Sequence, residues 1–127
     1  MKTAILKLAQ ELNLQDYVKI TGMQKEVRPF YWTSDLFTLT STSVETFSIA
    51  ALEAMGCGLP SVLTNIGGAT EMIRDGLNGY IYNLDEQYMA QKWSTALNNN
   101  FSRDTIHQFT RDNFSAEKML EEYRKIL

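Results

Sequence analysis

Apolar residues at Ile5, Leu8, Ala9 and Leu12 recur at i, i+3, i+4 and i+7, which predicts an amphipathic helix of about three turns ending near Asn13. The β-branched alternation of Val18-Lys19-Ile20-Thr21 then reads as a short strand stopped by Gly22. A helical or irregular piece from Val27 to Trp32 leads into Leu36-Phe37-Thr38-Leu39-Thr40, whose apolar content suits a buried strand. Phe47 to Met55, rich in alanine and large aliphatics, predicts a helix packed closely on a sheet, capped by Ser48 and ended by Gly56 or Gly58. Pro60 to Thr64 is the next strand, Thr70 to Asp75 the next helix, and Asn78-Gly79 a turn into the strand Tyr80-Ile81-Tyr82. Asp85 caps a further helix with Met89, Trp93, Ala96 and Leu97 on its apolar side. After Asn98-Asn99-Asn100 two helices close the chain, the last capped by Ser115 with Phe114 and Met119 as a hydrophobic staple.

Short strands alternating with helices imply parallel pairing through crossovers, hence an α/β fold with a Rossmann-like parallel sheet flanked by helices. Such a sheet normally begins with a strand. This chain begins with a helix, so the expectation is a single partial domain over residues 1–127 that lacks its first strand-helix-strand.

Length and charge narrow the function. A chain of 127 residues supplies one compact domain, so a cleft between two domains would have only one wall here. The net charge of -3 leaves no basic stripe for a phosphate backbone, which argues against nucleic acid as a partner. The longest apolar stretch, from Ile49 to Pro60, is interrupted by Glu53, Gly56 and Gly58 and falls far short of the roughly 20 residues of a membrane span. The single cysteine, Cys57, excludes an intrachain disulfide and fits a reducing compartment, so the cytoplasm is the expected location.

The chemistry concentrates between Thr42 and Val62. This run follows a predicted strand, where open α/β sheets place their ligand sites. The first amides of the helix that follows have no intrahelical acceptor and sit at its positive end, so a diphosphate can dock against Phe47, Ser48 and Ile49. Glu45 and Glu53 are eight residues apart. On a helix rising ~1.5 Å per residue that separation is about 12 Å, which sets one carboxylate beyond each end of a docked diphosphate. Carboxylates so placed can accept hydrogen bonds from vicinal hydroxyls, such as those of a sugar and a ribose. Taken singly, an exposed glutamate is more often a solvated surface residue, and Glu53 among Ala50, Ala51 and Ala54 has that plain reading too.

The run from about Val18 to Leu97 resembles the group 1 (family 4) retaining glycosyltransferases of the GT-B fold. The resemblance rests on an E-x7-E element at Glu45 to Glu53, an Ala-Met-x-x-Gly-Leu-Pro run at Ala54 to Pro60, and a Gly-Gly-x-x-Glu turn at Gly67 to Glu71. Asp75-Gly76-Leu77-Asn78-Gly79 matches the turn before the next strand. The resemblance implies the C-terminal, donor-binding half of such an enzyme. Glu45 would meet the hydroxyls of the donor sugar and act as the catalytic positioning group, and Glu53 would meet the ribose. The amides of Thr46, Phe47, Ser48 and Ile49 would hold the diphosphate, and the loop of Gly22 and Met23 would lie along the base. The nucleotide-sugar is then a substrate, with no cofactor or metal implied.

The family commonly carries glycine where this chain has Thr46 and Ser48, and their side chains narrow the space beside the sugar. Two elements of the family pattern would precede Met1: a basic Arg/Lys pair and the acceptor-binding N-terminal domain. The piece alone is therefore expected to be inactive, with any membrane association carried by the absent domain. A nucleotide-sugar epimerase of related architecture and a non-catalytic binding module are the alternatives. The first requires an acid/base set within this half, and the second requires that the donor contacts be lost.

Other residues have plainer readings. His107, the only histidine, reads as a surface residue, and Cys57 reads as packing. Tyr31 and Trp32 read as the apolar side of a short helix. Gly67-Gly68 admits either a phosphate cradle or an unusual backbone turn, and Glu71 shares that ambiguity. By the resemblance the final helix would cross toward the absent domain, leaving part of its apolar face exposed here or free to drive dimerisation.

Overall fold

A computed structural model describes residues 1–127. In chain order it contains α1 (Lys2–Glu11), α2 (Arg28–Thr33), β1 (Phe37–Leu39), α3 (Ile49–Gly56), β2 (Ser61–Thr64), α4 (Ala69–Met72), β3 (Gly79–Tyr82), α5 (Glu86–Asn98), α6 (Arg103–Phe114) and α7 (Ala116–Ile126). The three strands form one parallel sheet in the order β1-β2-β3, with Phe37 opposite Ser61 and Ser61 opposite Gly79. The α/β expectation, with a helix between each pair of parallel strands, holds.

Every residue of β2 is buried, as a central parallel strand covered on both faces requires. Leu63 points into one apolar layer with Ala51 and Met55 of α3, Ala69 and Met72 of α4, Ile73, and Ile106 of α6. Val62 points the other way, toward Tyr82 and Ala96, with Met89 and Trp93 of α5 packed around them. Polar groups on these faces are paired. Thr38 Oγ1 donates to the Val62 carbonyl at 3.0 Å and accepts from the Trp93 indole at 3.0 Å, so one hydroxyl joins β1, β2 and α5. Thr64 Oγ1 lies 3.0 Å from both the Leu39 carbonyl and the Tyr82 hydroxyl.

Helix caps follow the sequence. Ser48 accepts from the Ala51 amide, Asp85 from Gln87 and Tyr88, Ser102 from Thr105, and Ser115 from Lys118. Arg103 donates to the carbonyls of Tyr31 and Ser34 at the end of α2. His107 is exposed, as expected, but it is not idle: its Nδ1 lies 2.5 Å from the Gly56 carbonyl. A carbonyl oxygen only accepts, so Nδ1 carries the proton there. One face of α6 thus closes the C-terminal ends of both α2 and α3.

Several expectations are corrected or qualified. Val18–Thr21 is irregular rather than a strand, because no other strand lies beside it to take its backbone hydrogen bonds. Helix α1 forms, but only Ala9 on its apolar face is buried, and Ile5, Leu8 and Leu12 stay exposed because no element of the chain covers them. The helix expected over Thr70 to Asp75 is the single turn α4, ended by extended Ile73, whose side chain is needed in the core. Leu97 lies outside the inward stripe of α5 and is exposed. Phe114, expected as one half of the staple, packs on Phe47 and Phe109, with ring centroids 5.9 and 6.1 Å away, while Met119 stays largely exposed.

The turn before β3 is more than a turn. Asn78 is fully buried; its Oδ1 accepts from the Arg74 amide at 2.7 Å and its Nδ2 donates to the Met72 carbonyl at 2.9 Å. Replacing Asn78 by alanine strips both backbone groups of their partner, and the expected loss is about 2–3 kcal/mol of unfolding free energy in urea titration. A loss below about 0.5 kcal/mol would show that those groups find other partners.

Candidate functional site

The site candidates gather at the carboxyl end of β1 and the start of α3. The chain leaves β1 at Leu39, runs without regular structure through Glu45, and enters α3 after Ser48. Glu45 therefore precedes the helix instead of standing on it, so the helical ruler of about 12 Å between the two carboxylates does not apply. The apolar demand at Ala51, Ala54 and Met55 sets the rotation of α3, and this turns Glu53 outward.

Ser48 spends its hydroxyl on the Ala51 amide at 3.2 Å and its carbonyl on the Leu52 amide at 3.1 Å. The amides of Ile49 and Ala50 receive no acceptor from the chain, and both residues are exposed. Two unpaired donors at a positive helix end, flanked by Glu45 before them and Glu53 one turn beyond, can receive an anion that also carries hydroxyl groups.

The loop ahead of α3 is held from behind. Gly68, before α4, donates its amide to the Thr46 carbonyl at 2.6 Å. A Cβ on Gly67, whose φ is +54°, would fall 1.7 Å from the Glu45 carbonyl oxygen, and one on Gly68 would fall 2.6 Å from the Phe47 ring. Of the two readings open for Gly67-Gly68, the structure favours the backbone turn, since the Gly68 amide is already engaged. Glu45 is half-buried and shares with Ser48, Leu63 and Thr64 a crevice of about 10 Å³, room for no more than a water.

Glu53 faces an open groove of about 370 Å³ lined with Lys25, Glu26, Val27, Arg28, Tyr31 and Cys57. Apart from Glu53, none of these was expected to border a site. The available signal was helical spacing: Glu53 and Cys57 are four apart, and α2 packs on that side of α3. Tyr31 does pack against Phe37, edge to face at 6.0 Å, but its phenol borders the groove; burial raises its pKa, and the carboxylate of Glu53 adds to the shift. Trp32, expected in the core, is instead exposed. Burial also raises the Cys57 thiol, against the pull of Arg28, so the thiol is held protonated and the packing reading stands.

Gly22 (φ +69°) and Met23 lie exposed on the irregular segment before this groove. An equally large hollow, lined by Thr40, Thr42, Tyr82, Leu84, Asp85, Glu86 and Met89, opens at the carboxyl ends of β1 and β3. It contains none of the expected donor residues. Glu71 is exposed on α4 and makes no side-chain bond within the chain.

A three-stranded parallel sheet with a helix in each crossover defines a Rossmann-like α/β class of domain. The chain belongs to the glycosyl transferases of group 1, whose family pattern matches residues 2–99. It is 32% identical over 127 residues to N-acetyl-alpha-D-glucosaminyl L-malate synthase of Bacillus anthracis, an alignment covering 96% of this chain and 33% of that enzyme. The fold superposes on Anabaena HepE in complex with UDP with a TM-score of 0.87 at 24% identity, covering 98% of this chain and 36% of that one. It also superposes on the same protein in complex with UDP-glucose, with a TM-score of 0.64 at 27% identity over 90% of this chain and 36% of that one. The chain thus spans about a third of the length of these relatives. Solved glycosyltransferases with the GT-B fold share its architecture, and membership of this family does not favour the epimerase alternative. No helix is long and apolar enough to cross a membrane.

One electrostatic feature of the groove is directly checkable. Arg28 donates to both carboxylate oxygens of Glu26 and bonds one of them with its amide as well, which lowers the Glu26 carboxyl to about 2. A depressed carboxylate lends its contribution above its ordinary titration range and loses it as pH falls toward the folded value. The segment 25–28 should therefore keep its shape at pH 4 and loosen only near pH 2. Carboxyl-carbon NMR of Glu26 should show that midpoint, and Arg28→Gln should move it upward by more than one unit; a Glu26 midpoint near 4 in the parent chain would refute the pairing.

Proposed function

We propose that this chain is the donor-binding domain of a retaining glycosyltransferase that transfers a sugar from a nucleotide-sugar to an acceptor held by another domain. The observation that carries the reading is the pair of free amides at Ile49 and Ala50 between Glu45 and Glu53 in a chain of this family. The diphosphate docks on the amides following Glu45, from Thr46 to Ile49. Glu45 accepts from hydroxyls of the sugar and orients its reacting carbon, an electrostatic and geometric role rather than a nucleophilic one. Glu53 accepts from the ribose hydroxyls, and the base lies toward Gly22 and Met23 along the groove beside Arg28 and Tyr31. The Anabaena protein complexed with UDP and UDP-glucose supports a nucleotide-sugar as the ligand class.

The donor is substrate and not cofactor, and no metal or nucleic acid enters this reading. Charge on the diphosphate is met partly by the helix terminus, worth about 0.3–2 kcal/mol, and partly by a basic pair outside this chain. The 127-residue chain is thus a single partial domain that binds donor weakly and is inactive until joined to its acceptor domain, in the cytoplasm.

Amide chemical shifts of the chain titrated with UDP-, GDP- and ADP-sugars at millimolar concentration test this. One nucleotide class should move Gly22 and Glu45 to Ile49, and Glu53→Gln should weaken that response by roughly tenfold, the cost of a charged hydrogen bond. Silence of the Glu45 to Ile49 amides toward all three, in folded protein, would overturn the proposal.

A further inference from the structure

We infer that Gly67 and Gly68 are positioning residues for the donor site, acting through the backbone of Glu45, Thr46 and Phe47; the inference rests on the donor reading above. Three contacts converge on that short loop. The Gly68 amide donates to the Thr46 carbonyl at 2.6 Å. The Cα of Gly67 approaches the Glu45 carbonyl so closely that an added Cβ would stand 1.7 Å from the oxygen and 2.7 Å from its carbon. The ring of Phe47 covers Gly68, where a Cβ would stand 2.6 Å from Cδ2, and is backed on another side by Phe114 of α6 at 5.9 Å between centroids.

These contacts matter because the loop has little else to hold it. Residues 40–48 belong to no regular element, and no amide from Thr42 to Ser48 donates to the backbone. Yet this loop sets where the Glu45 carboxylate stands relative to the free amides of Ile49 and Ala50. The β2–α4 turn is rigidly placed: Leu63 and Thr64 before it, and Ala69 and Met72 after it, are buried in the core. Gly67 and Gly68 thus transmit the rigidity of the core to the loop. A side chain at Gly67 meets a backbone carbonyl, which cannot rotate away, so the loop itself must move.

Gly76 separates this effect from simple backbone strain. Its φ of +78° is also left-handed, but a Cβ there meets nothing within 4 Å. Alanine at Gly76 carries the strain without the collision.

The test uses the 127-residue chain, with hydrogen exchange and amide shifts read first in the absence of ligand and UDP-glucose added as the probe. In the parent chain the Gly68 amide should exchange slowly. Gly67→Ala and Gly68→Ala should each displace the amide resonances from Glu45 to Ala50 while those of β2 and β3 stay in place. UDP-glucose affinity of the folded protein should fall about twofold to thirtyfold, the range set by a helix-terminus anion contact. Gly76→Ala should leave both unchanged. If the two alanine variants fail to fold, Phe47→Leu, which withdraws the ring from Gly68, should speed exchange of the Gly68 amide. A fast-exchanging Gly68 amide in the parent chain, or unmoved loop resonances with unchanged affinity in folded Gly68→Ala, would overturn the inference. Silence of the parent chain toward UDP-glucose would instead count against the donor reading, because ligand-free shifts and exchange test the clamp independently.

Discussion

Burial of β2 on both faces is the constraint on which the rest depends. A strand with no solvent on either side must pair all its backbone groups laterally and satisfy every polar side chain locally. Parallel neighbours β1 and β3 meet the first demand. Thr64 meets the second by bonding the Leu39 carbonyl and the Tyr82 hydroxyl, while Thr38, which accepts from the Trp93 indole, donates to the Val62 carbonyl. Parallel pairing in turn requires a crossover after each strand, and α3 and α4 are those crossovers. The position of α3, and with it the candidate donor site, follows from the need to cover Leu63.

The site itself is a junction of strand ends. The loop after β1 carries Glu45, the turn after β2 carries Gly67 and Gly68, and the two meet because β1 and β2 are adjacent and point the same way. Parallel strands deliver their carboxyl ends to one edge of the sheet, which is why residues more than twenty positions apart in sequence share a backbone hydrogen bond at Thr46 and Gly68. On the far side of α3, α6 closes the helix: His107 reaches the Gly56 carbonyl and Arg103 reaches the end of α2. The groove beside Glu53 is held between those two helices.

The periphery obeys a different balance. Helix α7 has an apolar stripe of Met119, Leu120, Tyr123 and Ile126, all exposed, and α1 has another at Ile5, Leu8 and Leu12. Each carries an i,i+4 ion pair, Lys7 with Glu11 in α1 and Lys118 with Glu122 in α7, and α7 is also capped by Ser115. Their hydrophobic faces contribute little to this chain's stability, because burial is a property of two surfaces and only one is supplied.

Sequence alone determined most of the local structure. Strong caps at Ser48, Asp85 and Ser115, glycines after helices and β-branched runs act over a few residues, so the elements from β1 to α7 were legible in order. The family was legible too: the run holding Glu45, Glu53, Gly67, Gly68 and Glu71, on which the resemblance was read, lies inside the matched residues 2–99. What depends on distant partners was not legible. Val18–Thr21 has strand composition without a strand beside it, and Glu45 looks helical by spacing but stands before the cap. Asn78 carries turn chemistry yet is wholly buried, and His107 looks like a free surface residue yet bonds α3. The role of Gly67 and Gly68 was undecided until the Glu45 backbone was found against them, since the absence of a side chain acquires meaning only from what occupies the space. Local propensities act along the chain, whereas pairing, burial and close approach depend on which surfaces folding brings together.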